Sequence, residues 1–283
     1  MLVYVNDIVL VGTVHADLDG FGRLETVLGN LQPSVIGVEL SDARAKLLEG
    51  HYEYDVEGIF RRTVAAYLGL VERYHVDPDA FALAKQRYAR PSVTWTVRDI
   101  AAMDSGAQLL AACCGFEAKV ARAYAARHPG VTVRYIDLPE QDIDLRQQTT
   151  PAPGCPTLRN LRYFAANRAA LAQGLTGVVA LLRALQDAYY DEAGGIFRQR
   201  YEENVAHWAL LDPADVIRRA IYDPRREPHM VEQIKGLRHD RCRDRCVVIV
   251  GATHLPGLSR RLRGCRHSSL SLFEVDVLRE MAA

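Results

Sequence analysis

The chain has 283 residues, of which 49% are hydrophobic, so it is long enough for one large domain with a substantial core or for two small ones. Lys and Arg total 35 and Asp and Glu total 35, and this balance excludes a strong overall field toward nucleic acid or an anionic membrane. The densest basic runs, 238–245 and 260–266, lack aromatic residues, which favours a solvated face and predicts no nucleic-acid partner.

The N-terminal residues and the apolar runs predict a cytoplasmic protein without a membrane span. Residues 1–12 lack a basic segment and a small-residue cleavage site, so they do not resemble a signal peptide. No apolar run approaches the roughly 18–20 residues needed to cross a bilayer, and the stretch 175–185 is interrupted by Arg183. The 6 cysteines are too sparse for a disulfide framework, and we expect reduced thiols.

The first forty residues alternate between strand and helix patterns. Two short apolar runs, 2–5 and 8–11, flank Asn6-Asp7, which is typical of a β-hairpin. Residues 17–31 carry apolar side chains at helical spacing, and 35–40 form a run of buried-strand length. A strand–helix–strand unit favours parallel pairing with a right-handed crossover, so we expect an α/β sheet.

The rest of the chain also alternates between helix and strand patterns, apart from one longer helical region. They are, in chain order, helices within 57–90 and 98–127, a strand at 131–137, a Pro-rich break at 149–156, helices interrupted by Gly194-Gly195, a strand at 247–250, a short helix at 255–262 and an alternating strand at 269–277. We therefore predict a single α/β domain over residues 1–283. Its central mixed, partly parallel sheet is flanked by helices, with a helical insertion at about 150–220.

Two apolar runs are each followed at once by a G-x-x-H motif. IVLV-GTVH ends at His15, and VVIV-GATH ends at His254. Glu39 ends a third apolar run, VIGV-E. At the carboxyl edge of a parallel sheet the chain turns out of the core and lines the crevice where ligands bind. Since glycine permits the tight turn, we expect His15, Glu39 and His254 to converge in one small cleft.

Two imidazoles and a carboxylate are a common ligand set for a divalent metal such as zinc, manganese or cobalt. No H-E-x-x-H motif occurs, so such a site has to be assembled from distant segments. Glu39 is then either the third ligand or a general base, and the residues alone do not separate these roles. The alternatives are a structural hydrogen-bonding role for His15 and a helix-capping role for Glu39.

Other polar residues near these motifs have simpler interpretations. Asp17 and Asp19 follow His15 closely, but an Asp at a helix start more often caps backbone amides. Asp137 follows a predicted strand and is a secondary candidate for the same edge. Ser41 lies near Glu39, yet no G-x-S-x-G elbow occurs, so serine nucleophilic catalysis is not expected.

The segment 12–44, GTVHADLDGFGRLETVLGNLQPSVIGVELSDAR, resembles the opening block of the TraB family, which groups pheromone-shutdown proteins, TraB-domain proteins and the Tiki proteases. The family pattern has two GxxH motifs, a glutamate ending an early strand and an arginine in an R-(N/D)-x-x-M segment. The positions of this chain that match are His15, His254, Glu39 and, in the segment 226–230, Arg226. Glu227 stands where the family has Asn or Asp. The region 150–220 resembles the family in being helical and not in motif residues.

The resemblance implies a core shared with erythromycin-esterase-like proteins and a metal-dependent peptidase activity. In that interpretation His15, Glu39 and His254 bind the metal, and Arg226 stabilises an oxyanion, clamps a substrate carboxylate or pairs with Glu39. The alternative function is non-catalytic binding of a peptide or small molecule, as in pheromone sequestration. Many relatives carry membrane anchors, and none is visible here. Assembly into a homo-oligomer is compatible with either function.

Overall fold

The computed structural model describes residues 8–15, 17–42, 45, 115–139, 175–212, 216–239 and 245–275. The described elements, in chain order, are β1 (Ile8–Thr13), α1 (Gly20–Leu31), β2 (Val35–Val38), α2 (Phe116–Arg127), β3 (Thr132–Tyr135), α3 (Leu175–Glu192), α4 (Ile196–Ala206), α5 (Val216–Ile221), α6 (Arg226–His239), β4 (Cys246–Gly251), α7 (Leu255–Arg261) and β5 (His267–Ser271). Short 3₁₀ turns at Trp208–Leu210 and Ala252–His254 complete the set.

The strands form one sheet in the order β3-β2-β4-β1-β5, and every pairing between these described strands is parallel. The predicted α/β sheet flanked by helices is confirmed, but the described sheet is parallel rather than mixed. Helices lie between successive strands in the chain and return each strand in the same direction. The predicted hairpin strand at 2–5 lies outside the described residues.

The central strands are apolar throughout because both faces of the sheet are covered. One face, with Val9 and Val247, packs against Phe21 of α1 and Phe116 of α2. The opposite face packs against α6 and α7, and its buried members include Leu10, Val248, Met230, Ile234 and Leu258. Burial of both faces holds the strands in register, so the strand ends that carry the polar residues are fixed in space.

The predicted helical region is described from residue 175 onward, and it is helical as expected. Helix α3 ends at Glu192 and α4 begins at Ile196, so Gly194-Gly195 interrupts the region where the sequence predicted. Among the described helices, none is long and apolar enough to cross a membrane. The prediction that residues 1–283 make one domain stays a prediction.

Candidate functional site at the carboxyl edge of the sheet

Three strand ends carry the predicted site residues to one edge of the sheet. His15 comes two residues after β1, Glu39 directly after β2, and His254 three residues after β4. Strand β4 lies between β1 and β2, so these two strands are not direct neighbours. Because all three run parallel, their carboxyl ends still meet, and the structure brings the three side chains together around Glu39.

Glu39 is the centre of this cluster. Its Oε1 lies 3.3 Å from His254 Nε2, and its Oε2 accepts a hydrogen bond of 2.6 Å from the Gly251 backbone N–H. A Cβ built on Gly251 would lie 3.0 Å from His15 Nε2 and 3.4 Å from Glu39 Oε2, so both atoms border the space that this glycine leaves open. Burial alone would raise the pKa of Glu39, but His254, Arg226 and His15 hold it well below its usual range.

Arg226 is buried in the cluster and is already engaged. Its Nη2 donates to Glu39 Oε1 at 2.7 Å and to Asp137 Oδ2 at 2.7 Å, while Nε donates to Asp137 Oδ1 at 3.0 Å. Nη1 donates to the Ile221 carbonyl at 3.0 Å. Of the roles expected for Arg226, the structure shows pairing with Glu39; the bonds that a substrate clamp would need are instead made to protein, because a buried guanidinium needs carboxylate partners.

His15 is held by a glutamate that the sequence did not indicate. Its Nδ1 lies 2.8 Å from Glu117 Oε1, and the same oxygen accepts a 2.9 Å bond from Thr13 Oγ1. Loss of water around the ring nitrogens lowers the pKa of His15, but the Glu117 and Glu39 carboxylates outweigh it and raise the pKa to about 9. The side chain is nevertheless 58% exposed, which makes His15 the open side of the site.

His254 lies between two carboxylates. Its Nδ1 is 3.2 Å from Glu227 Oε1, on the opposite side of the ring from Glu39. Burial lowers the pKa of His254, and the two carboxylates more than offset this and raise it. The Tyr201 ring packs edge-on against the imidazole, with 4.9 Å between the ring centroids. Arg198 forms a buried ion pair with Glu227 and donates to the Thr253 carbonyl at 3.0 Å.

Glu117 and Glu227 were missed from the sequence because no local pattern marks them. Glu117 lies 102 residues from His15 and Glu227 lies 27 residues from His254, so each contact depends on how a helix packs on the sheet. The one available signal was the adjacency of Glu227 to Arg226 in the segment that resembles the TraB pattern. Asp137, a secondary candidate, does reach this edge and binds Arg226 there.

Asp17 supports the His15 loop and is not the N-cap of α1. The helix begins at Gly20, later than predicted, and its N-cap Asp19 makes no capping side-chain bond. The buried Asp17 carboxylate accepts bonds from the Asp19 N–H, from Arg23 and from the Tyr190 hydroxyl. The expected bond from Asp17 to a backbone amide is thus made only to Asp19, in the turn before α1. The other Asp17 bonds, to Arg23 and Tyr190, form a buried polar network.

The donor atoms around Glu39 fit a divalent cation in chemical type. Each histidine contacts a carboxylate at Nδ1, so Nε2 is the ring nitrogen left to bind a metal. A carboxylate at the other ring nitrogen is usual for metal-binding histidines. Within the described part of the chain, however, no three His, Cys, Asp or Glu side chains already lie in a metal-holding arrangement. Arg226 and the Gly251 N–H occupy the Glu39 oxygens instead. The ligand set of His15, Glu39 and His254 stays a prediction.

A cavity of about 190 Å³ adjoins the outer side of Glu227. Its charged and aromatic lining residues are Arg198, Tyr201, Glu202, Glu227, Arg260 and Arg261. His254 and Glu39 do not line this cavity, but Glu227 and Tyr201 line it and also contact His254.

Comparisons of the chain with protein-family models, with curated proteins and with solved structures gave no match. The resemblance to the TraB family therefore rests on the motif residues alone.

Proposed function

We propose that the chain is a metal-dependent hydrolase of the TraB type that acts on peptide or related amide bonds. The observation that carries the proposal is the pair of histidines at the sheet edge, each with a glutamate at Nδ1 and with Nε2 on the side of Glu39. A carboxylate accepts hydrogen bonds and donates none, so His254, flanked by two, needs a second ring proton or a cation beside Nε2. A divalent metal satisfies that need.

In this proposal His15 and His254 hold the cation, and Glu39 is either the third ligand or the base. The cation supplies Lewis acidity and lowers the pKa of a water. Arg226 keeps Glu39 ionised and fixes its orientation through Asp137. Substrate approaches from the exposed side, at His15.

The alternative is a non-catalytic protein that binds a peptide or small molecule in the same cleft. One observation favours it: Arg226 and the Gly251 N–H already bind the Glu39 oxygens, which completes a polar cluster without a metal. In that case the positive charge needed near Glu39 comes from protonated histidine and from Arg226.

Elemental analysis and zinc calorimetry on protein purified without a metal-chelating tag separate these functions. We expect about one zinc per chain for wild type and loss of binding in His15→Ala and His254→Ala, together with zinc-dependent cleavage of a peptide library. His207→Ala is the matched control, because His207 is exposed on the helical region and bonds the Glu203 carbonyl. Equal zinc binding by wild type and both site variants would place the metal elsewhere, and peptide binding without zinc or cleavage would favour the alternative.

A further inference from the structure

Two glutamates occupy the same position in two different helices. Glu117 is the second residue of α2, and Glu227 is the second residue of α6. Each contacts Nδ1 of a histidine that ends a GxxH motif. We propose that Glu117 and Glu227 are a matched pair of positioning residues, each of which holds one site histidine at Nδ1 and presents its Nε2 to the space beside Glu39. This inference rests on the proposed metal site.

Glu117 is positioned to control both the ring and the loop of His15. It is buried, and its Oε1 receives Thr13 Oγ1 at 2.9 Å and His15 Nδ1 at 2.8 Å. Because the carboxylate oxygen accepts, Nδ1 carries a proton in either charge state of the ring, and Nε2 is the nitrogen that can bind a cation once it has lost its own proton. The Thr13 bond ties the same carboxylate to the end of β1, so the carboxylate and the strand end are fixed together.

Glu227 performs the same task for His254 with more charge around it. Its Oε1 lies 3.2 Å from His254 Nδ1, and its carboxylate also pairs with Arg198 and, at 3.4 Å, with Arg261 Nε. The family pattern has Asn or Asp at this position, and both side chains are shorter than that of Glu. The longer Glu227 side chain reaches His254 and Arg198 at once.

The helices make this arrangement rigid. A carboxylate in the first turn is stabilised by the N-terminal end of the helix dipole. Helix α2 packs on one face of the sheet and α6 on the other, so the two glutamates reach the edge from opposite sides. A histidine held by an element of fixed position loses less conformational freedom when its Nε2 binds a ligand.

The test uses the full chain with single variants Glu117→Gln, Glu117→Ala, Glu227→Gln and Glu227→Ala. Glu25→Gln and Glu232→Gln are matched controls. Glu25 of α1 pairs with Arg127 at the surface, and Glu232, on the same helix as Glu227, is 70% exposed and pairs with Lys235. The first readout is the exchangeable Nδ1 proton of each histidine in nitrogen-15 NMR spectra of the metal-free protein. The second is zinc affinity by calorimetry.

We expect each alanine variant to lose the slowly exchanging, downfield Nδ1 proton of its own histidine and to keep that of the other. Zinc affinity should fall roughly 10–100-fold in the alanine variants, as for other outer-shell residues, and less in the glutamine variants because the amide oxygen still accepts. The glutamine variants also serve where an alanine variant does not fold. Both controls should retain both signals and the wild-type affinity.

Retention of the Nδ1 signal in the alanine variants, or zinc affinities within twofold of wild type in all four variants, would overturn the positioning role. Failure of the proposed function gives a different result. If wild type binds no zinc, the metal site is wrong, and the Nδ1 signals in the metal-free protein still decide whether the glutamates position the rings.

Discussion

The Arg226 guanidinium lies 2.7 Å from Glu39 Oε1 and reaches across to Asp137 with two further bonds. One buried cation thereby joins the carboxyl ends of β2 and β3. Glu39 is not a free carboxylate, because Arg226 already forms an ion pair with it at Oε1. Any ligand at this edge has to bind beside the ion pair or compete with it.

Arg226→Lys should destabilise the protein by about 1–3 kcal/mol, because an ammonium cannot reproduce the planar bonds to Asp137 and Glu39 and leaves buried acceptors without donors. The measurement is the free energy of unfolding in urea. Arg127→Lys is the control, since that side chain is 55% exposed and pairs with Glu25, whose side chain is 38% exposed. Its stability should stay within about 0.5 kcal/mol of wild type. Equal stability for both variants would show that Arg226 is not buried in an ion pair.

The strands near the site were predictable because burial on both faces produces continuous apolar runs. IVLV before Gly12 and VVIV before Gly251 each predicted a strand, and both strands occur. The strand order was not predictable, because pairing between β1 and β4 joins residues more than 200 positions apart and no local pattern encodes it. The insertion of β4 between β1 and β2 is set by the whole core.

The site, like the sheet, was predictable where a local pattern marks a residue and not where a contact depends on tertiary packing. His15, Glu39 and His254 could be found because each ends an apolar run, and strand ends of a parallel sheet meet. Glu117 lies at a helix start 102 residues from His15, and helix starts commonly carry acidic residues for reasons of local stability. Its contact with His15 depends on how α2 packs on the sheet, which is a tertiary property.

Gly251→Ala should abolish or weaken zinc binding by at least about tenfold with little loss of stability, because the new Cβ would lie 3.0 Å from His15 Nε2 and 3.4 Å from Glu39 Oε2 and fill the space for a cation. His15 is exposed enough to shift outward. Calorimetry with zinc and urea unfolding are the measurements. Gly236→Ala in α6 is the control, since its Cβ would meet nothing within 4 Å. It should gain up to about 1 kcal/mol and bind zinc as wild type does.

The metal-free protein should lose stability in acid partly through Glu227. Burial alone would raise the pKa of Glu227, but hydrogen bonds from His254 and Arg198 lower it to about 2. In the unfolded chain the pKa of a glutamate is about 4.3, so the unfolded state takes up a proton first as pH falls. Ionised Glu227 therefore contributes on the order of 3 kcal/mol to the free energy of unfolding. This contribution is fully present above the pKa of the unfolded state and is lost as pH falls toward 2.

Urea unfolding at several pH values checks this contribution by comparing wild type with Glu227→Gln. The difference in unfolding free energy between the two proteins should be largest at neutral pH and shrink steadily below about pH 4. A difference that stays constant from pH 7 to pH 3 would show that Glu227 has an ordinary pKa in the folded protein.

Tyr190→Phe should cost about 1–3 kcal/mol of stability, because the Tyr190 hydroxyl bonds both the buried Asp17 carboxylate and the Val14 N–H at the loop that carries His15. It accepts a bond of 3.1 Å from the Val14 N–H and donates one of 2.8 Å to Asp17 Oδ2. Phenylalanine keeps the ring packing but leaves the Val14 N–H without this acceptor, so the His15 loop should also loosen and zinc affinity should fall.

Tyr189→Phe is the matched control for this prediction, since Tyr189 is the preceding residue on α3 and, among the described residues, its hydroxyl contacts one side chain, Thr253 Oγ1, at 3.1 Å. That side-chain contact is partly accessible to water, which can replace the lost hydroxyl, so the cost should be about 1 kcal/mol or less. Urea unfolding and hydrogen exchange of the Val14 amide measure the two effects. If both variants lose the same stability and Val14 exchanges no faster in Tyr190→Phe, the helical region does not support the His15 loop through Tyr190.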